Sequence, residues 1–566
     1  MTELLLNPAL VMILGGLLMP LLRDAPRRIL TLALPALSLA LLLQLPEGVS
    51  GSVEIFGLTL QTLRLDRLAF IFALIFLIAA VLAGIYALHV RDPLQQAASQ
   101  VYAGAALGAV LAGDLVTLVV FWELTALSSV LLIWARRTEH AYRVGMRYLA
   151  IQVSSGVILL AGAAWRYAEL GDVAFELMSL QDPGAWLILL AFGIKCAFPL
   201  LHNWLQDAYP EATITGTVVL SVFTTKLAIY ALARGFAGTE LLIPIGAAMT
   251  VFPIFFAVIE NDMRRVLSYS LNNQLGFMVV GVGIGTEMAI NGAAGHAFAH
   301  ILYKSLLFMA MGAVLYRVGT IKASELGGLY KSMPWTTAFC IVGSMSISAF
   351  PLMSGFVTKS MILFAAAEEH LWVVWLVLLF ASAGVLDHSG IKIPFFTFFA
   401  HDSGKRCEEA PLNMRLAMGV IAVACIAIGV FPQLLYSLLP YATDYAPYTS
   451  THVVTQLQLL LFSALGFVML FRSGLYPPEI PSVNLDFDWL YRKAAPRLGR
   501  ATLSAIRHGS DNMVRPLTSA AAALFTRTQL LLKPGQRLAD DWSTSTMLII
   551  VLLLALAGMG LGRLGG

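Results

Sequence analysis

Ten ionisable residues stand inside long apolar runs, and their types suit proton transfer. Glu123 lies within Val119-Val120-Phe121-Trp122-Glu123-Leu124-Thr125. Lys195 and Lys226 occupy two later runs, the second as Thr224-Thr225-Lys226-Leu227-Ala228. His296, His300 and Lys304 are spaced four apart, so on a helix they share one face. Lys359 sits in a further run, and Asp387, His388 and Lys392 in the next. Each Lys or Glu at mid-bilayer costs about 2.5–3.5 kcal/mol on insertion scales. Lysines outnumber carboxylates in these runs, so they cannot all be ion-paired, and some must be neutral or hydrated. A desolvated lysine gives up its proton readily. A row of such lysines and histidines, bridged by water, can pass protons along.

Other readings of single residues stay open. A buried Glu–Lys pair can simply tie two helices together, which accounts for Glu123 but not for the surplus lysines. Asp387 with Lys392 reads equally well as a local helix-linking pair. His296-x-x-x-His300 is also a haem or metal spacing. Paired haem ligands usually face each other from different helices, however, and no matching partner is readable. Proton relay or polar packing suits the two histidines better.

The elements that must position these groups are membrane helices. Of 566 residues, 58% are apolar and 12% charged, against about 45–50% and 25% in ordinary globular domains. Mean hydropathy is +0.80. These figures exclude a soluble enzyme and a disordered chain. A net charge of +3 is too small to imply a nucleic-acid partner. Four cysteines lie scattered without C-x-x-C, and no Walker or G-x-G-x-x-G motif follows a strand. No metal, ATP, NAD or other cofactor is expected. The opening Met-Thr-Glu-Leu has no basic stretch, so no cleaved signal peptide is expected.

At roughly 20 apolar residues per crossing, the sequence predicts an all-α polytopic membrane protein with about sixteen transmembrane helices. Glu123 falls in span 5 (115–135), Lys195 in span 7 (184–206) and Lys226 in span 8 (214–234). The histidines and Lys304 fall in span 11 (289–316), Lys359 in span 12 (334–367) and Asp387 to Lys392 in span 13 (371–400). Residues 46–66 alternate apolar and polar and predict a small β-hairpin outside the membrane. Basic residues cluster in the loops after spans 1, 5, 9, 11 and 13, which share one side if the N-terminus is outside.

Span 7 is interrupted at Phe198-Pro199-Leu200 and span 12 at Phe350 to Phe356, where proline and glycine free backbone groups. Lys195 precedes its break and Lys359 follows its own. This arrangement predicts two inverted repeats, each with a broken helix of the kind that lines ion sites at the membrane midplane. The expected divisions are 1–95 (first helices and hairpin), 96–236 and 237–440 (the two repeats), and 452–566 (a last core helix, a basic amphipathic lateral segment and a terminal anchor helix).

Taken in order, several motifs carry a resemblance. They are Phe121-Trp122-Glu123-Leu124, the run Lys195 to Ala208, Asp262 to Ser270, Gln274-Leu275-Gly276-Phe277-Met278, His300 to Phe308, Leu326-Gly327-Gly328-Leu329 and Ser354 to Lys359. Over about residues 66–440 the chain resembles the antiporter-like subunits shared by Mrp-type Na+/H+ antiporters, respiratory complex I and membrane-bound hydrogenases. Lys226 and Lys359 together look most like the D-type member of the Mrp set. The resemblance implies an ion-translocating subunit without a redox cofactor of its own, in a bacterial plasma membrane; the alternative is a proton-pumping or energy-coupling subunit of a complex I-like NADH:quinone oxidoreductase, hydrogenase or inorganic-carbon-uptake complex. It also implies other membrane subunits as partners and protons, with or without Na+, as cargo. It implies that Glu123 pairs with Lys195, that Lys226 bridges, that His300 and Lys304 relay, and that Lys359 releases. Gln206 stands where the family usually has Pro, and Glu211 to Thr215 and Asp387-His388 are atypical. The tail looks like the lateral helix and anchor of the distal complex I subunit, but shorter and punctuated by Pro496, Pro516 and Pro534. An interfacial amphipathic helix reads equally well there.

Overall fold

The computed structural model describes residues 7–55, 57–481, 484–531 and 548–554. They form two compact units, 1–484 and 485–566. In the first, helices start where the sequence supplies a cap. Asp66, Asp114, Thr138 and Thr286 each accept the backbone N–H three residues on, the general signature of a helix N-terminus.

In chain order the helices are α1 (Pro8–Leu18), α2 (Asp24–Leu42), α3 (Arg67–Tyr86), α4 (Pro93–Leu111), α5 (Leu115–Trp134) and α6 (Glu139–Leu170). Next come α7 (Ala185–Cys196), α8 (Asn203–Ala208), α9 (Ile214–Gly235), α10 (Leu242–Ile259), α11 (Met263–Ile284) and α12 (Glu287–Val318). The unit closes with α13 (Pro334–Ile347), α14 (Ser354–Glu368), α15 (Trp372–Phe399), α16 (Leu412–Val430), α17 (Gln433–Tyr436) and α18 (Ser450–Arg472). Among the described residues ten helices are long and apolar enough to cross a membrane. The sequence predicted about sixteen crossings, and the difference has physical causes. The arms α7, α13 and α14 are too short alone, while α4 and α11 are long enough but too polar. In α11, Ser268, Ser270, Asn272, Asn273 and Gln274 are all fully buried, so its polarity faces protein.

The predicted hairpin is present. β1 (Gly48–Ile55) pairs antiparallel with β2 (Leu58–Leu65), with register shifts around Gly51. It docks on the start of α5, where the Gln61 N–H donates to Asp114 Oδ2 at 2.7 Å and Gly113 N–H to the Gln61 carbonyl at 2.8 Å. At the core lies α12, 32 residues long, with 94% of its apolar window buried.

Four loops are stitched together on the side that carries Arg264 and Arg265. Asn261 and Ser324 exchange hydrogen bonds at 3.0 Å, Ser403 donates from its hydroxyl to the Gly327 carbonyl at 2.9 Å, and Asn484 donates to Glu260 at 3.2 Å. Arg406 and Lys331 each lie 2.7 Å from Asp402 and hold its carboxyl well below the usual range.

In the second unit, α19 (Ala495–Leu531) runs as one helix of 37 residues. The tail is thus not cut into short pieces at Pro516 as expected; at 1.5 Å per residue this helix is about 55 Å long. Of the expected anchor helix 546–563, residues 548–554 are helical and the remainder lies outside the described residues.

Candidate functional site

Both breaks carry the same four residues. In Ala197-Phe198-Pro199-Leu200, Ala197 and Leu200 have φ of 61° and 72°. In Ala349-Phe350-Pro351-Leu352, Ala349 and Leu352 have φ of 56° and 71°. In each, the phenylalanine N–H reaches back five residues, to Gly193 and to Met345, at 3.0 Å. Proline removes a donor and denies the helix its next bond, so carbonyls on either side are released.

Side chains from elsewhere in the fold take up the released groups. Asn272 of α11 donates to the Ala197 carbonyl at 2.7 Å. At the second break, Tyr448 accepts from Leu352 N–H at 3.2 Å and donates to the Gly429 carbonyl, while Gln456 lies 3.4 Å from the Ser348 carbonyl. A third interruption divides α9 at Phe223, where no Pro or Gly gave warning. Tyr102 accepts from Thr224 N–H at 3.0 Å and shares a 2.5 Å bond with its hydroxyl.

The lysines stand at these sites, fully buried and bonded to peptide carbonyls. Lys195 donates to the Trp122 carbonyl and, at 2.7 Å, to Thr125 Oγ1, with its ammonium 4.5 Å above the Trp122 ring. Lys226 donates to the Ser221 carbonyl at 2.5 Å, capping the first arm of α9. Lys359 donates to the Ile347 carbonyl at 3.1 Å, across its own break, and lies 4.9 Å from the Phe277 ring. Lys392 donates to the Val258 carbonyl at 2.5 Å.

The expected contact between Glu123 and Lys195 is not formed. Among the described residues no ion pair within 4.0 Å joins them; the Trp122 carbonyl and Thr125 take the ammonium instead. Glu123 is half-buried and turns toward α6, where a Cβ at Gly156 would collide with its carboxyl group. Trp122 holds this corner by donating to Ser155 Oγ at 3.0 Å, and Ser155 donates to the Ala191 carbonyl at 2.8 Å.

The centre of the row is on α12. His296 contacts Thr358 Oγ1 at 3.1 Å and Gln274 Oε1 at 3.2 Å, and Tyr303 donates to the same Gln274 oxygen at 3.1 Å. The two ring nitrogens of His300 and the Lys304 ammonium are buried without a protein hydrogen-bond partner. His300 lies within Coulombic reach of Lys226, Lys304, His296 and Lys359, so these groups form one electrostatic set. Bridging water can satisfy buried polar atoms of this kind.

Asp387 and Lys392 are not a closed pair. Lys392 is ion-paired with Glu479 at 2.8 Å, both side chains being buried, while Asp387 Oδ1 has no hydrogen-bond partner. Thr125, Gln274, Asn272, Tyr102 and Glu479 were not singled out from sequence. The first four are neutral and ordinary in composition, and Glu479 lies beyond the last core span. Among the described residues no group of three His, Cys, Asp or Glu is placed to hold a metal.

The geometry accords with comparisons to known proteins. Residues 112–384 match the family described as NADH:quinone oxidoreductase/Mrp antiporter, transmembrane. The D component of the Na+/H+ antiporter of Alkalihalophilus pseudofirmus is 32% identical over 325 residues, covering 53% of this chain and 64% of that protein. Hydrogenase-4 component B of Escherichia coli is 26% identical over 416 residues, covering 65% and 62%. The chain thus spans less than two thirds of either relative. A subunit in the Mrp complex of Dietzia sp. DQ12-45-1b superposes with a TM-score of 0.71 at 21% identity, covering 80% of this chain and 98% of that one. Just under half of the chain, residues 112–384, thus matches the NADH:quinone oxidoreductase/Mrp antiporter transmembrane family, and the fold is shared with a chain of the Mrp complex.

Proposed function

We propose that this chain is an ion-translocating subunit of a multisubunit membrane complex, moving protons along a buried lysine–histidine row. One observation carries the reading. Three buried lysines at interrupted helices, Lys195, Lys226 and Lys359, each lean on a neutral peptide carbonyl, with the buried His300–Lys304 pair between them. An ammonium held by a carbonyl can lose its proton without stranding a buried carboxylate, so the lysines can change charge in turn.

The repeated Ala-Phe-Pro-Leu turn supports a division into two repeats, 96–236 and 237–440. Glu123 acts at a distance: its approach to Lys195 favours the ammonium and its withdrawal favours release, by about 4 kcal/mol at 4 Å and an effective dielectric near 20. The proton then passes by Lys226, His300 and Lys304 to Lys359. Protons are the primary cargo, with Na+/H+ antiport as the coupled form. The partners are other membrane subunits in a bacterial plasma membrane, with the N-terminus outside and the stitched, basic loops inside. The tail lies along a neighbour or the membrane surface. The likeness to a hydrogenase component supports a second reading, in which the same row serves a redox complex as its pumping or coupling subunit.

The test is ion-driven proton movement in vesicles carrying the native complex. Lys195→Ala and Glu123→Ala abolish it while assembly persists, and Lys359→Ala blocks release. Full transport in the first two variants would overturn the reading. The subunits that co-purify separate antiporter from redox complex.

A further inference from the structure

The relay from Lys195 to Lys359 leaves one buried charge cluster unused. Lys392 sits in α15 between two stretches wound as π-helix, Leu386–Ile391 and Phe395–Phe399. Such widened turns are rare and collect at functional positions. Its ammonium meets Glu479, which enters from the segment after α18; the side chains are 0% and 8% exposed. The next residue, Ile480, is 53% exposed, while Tyr476, three residues before, is buried against Phe396 and Phe467. Glu479 is therefore a buried carboxylate on a connecting segment that is open at Ile480 and anchored at Tyr476. Glu260, Asp387 and Arg265 complete the charged surroundings, with Arg265 4.0 Å from Glu260.

The cluster points inward as well. His388 bonds through Nδ1 to Ser389 Oγ at 2.8 Å, and Ser389 donates to Ser270 at 2.7 Å. Its Nε2 is buried without a hydrogen-bond partner. His388 lies within Coulombic reach of Lys304, Lys392 and Lys359. Lys392 is about two turns from the end of α15, on the side of the stitched loops, whereas α14 carries Lys359 away from its break toward Glu368 at the other end.

We infer that Glu479, Lys392 and His388 form a loading route that carries protons from the face of the stitched loops to Lys304. It rests on the ion-translocation reading and gives the second half of the row an intake of its own. The protonated Glu479 carboxyl gives its proton to the Lys392 amine, leaving the paired carboxylate and ammonium that the structure holds. The ammonium passes a proton through water to His388 Nε2, and the imidazolium passes one to the Lys304 amine. Water at the loop face reprotonates Glu479. Protons alone move: Lys392 and His388 each gain one and lose one, and the net transfer is one proton from water at the loop face to Lys304.

A purely structural ion pair makes a different prediction. Removing both buried partners together leaves no stranded charge and is often neutral or stabilising. The experiment measures proton flux in vesicles carrying the native complex, with subunit content checked. Glu479→Gln should lower flux at least tenfold, and the double variant Lys392→Met with Glu479→Leu should be as low. Glu479→Asp should retain flux and shift its pH profile. Flux within twofold of the parent in the double variant, with Lys195→Ala inactive, overturns the loading route and leaves the wider reading intact. If Lys195→Ala also retains flux, the wider reading itself has failed. Should the double variant not assemble, Glu479→Gln decides alone, and flux above half the parent's overturns the route.

Discussion

The side-chain amide of Asn272 donates to the carbonyl oxygen of Ala197 at 2.7 Å, so a helix of the second expected repeat holds the broken turn of the first. Ala197 is two residues from Lys195, and both are fully buried. The position of the first lysine's helix end thus depends on α11. Asn272→Leu keeps the branching of the side chain but leaves that carbonyl unpaired, at a cost of about 1–3 kcal/mol. The variant should assemble, unfold at lower temperature in detergent and show reduced proton flux. Unaltered stability and flux would mean the turn holds itself.

Gly156→Ala probes the placement of Glu123. The substitution favours the helix by roughly 1 kcal/mol, yet its Cβ displaces the Glu123 carboxyl group. Flux should fall toward that of Glu123→Ala while stability is unchanged or higher. Normal flux would show that the carboxylate works equally well elsewhere.

Tyr448→Phe tests the clamp on the second break. It removes the bonds to Leu352 N–H and to the Gly429 carbonyl. A loss of about 1–3 kcal/mol in stability is expected, with faster hydrogen exchange at residues 349–353. Unchanged exchange there would assign the hold on this turn to Gln456 and the helix contacts.

The Lys331–Asp402–Arg406 contact should resist acid. Arg406 first, and then Lys331, hold the Asp402 carboxyl below its ordinary value. A depressed carboxylate adds stability above its unfolded pKa, near 3.9, and loses it as pH falls through the lower folded value. Protection of residues 400–406 against exchange, corrected for intrinsic rates, should be flat from pH 8 to pH 5. Asp402→Asn should lower it across that range.

The charged residues of the site were legible in the sequence because an ionisable group within an apolar run is costly and therefore conspicuous. Both Pro-marked breaks were legible for the same kind of reason, since proline cannot continue a helix. What the lysines bind was not legible. A peptide carbonyl has no residue signature, so Glu123 was the natural partner to expect for Lys195, and Trp122 with Thr125 was not. The interruption at Phe223 has no sequence mark beyond two threonines and Lys226. Glu479 was hidden by distance, because a carboxylate in a connecting segment ordinarily faces water. In the tail, Pro516 suggested a break that the backbone of α19 does not make.

Lys195, Lys226 and Lys359 each rest on an uncharged oxygen. The row has no fixed complement of counter-ions, so its total charge is set by how many protons it holds. A charge carried the full way across a bilayer gains or loses about 2.3 kcal/mol per 100 mV. The filling of the row must therefore vary with membrane voltage as well as with pH, so that at constant acidity a change in potential alone would redistribute its protons.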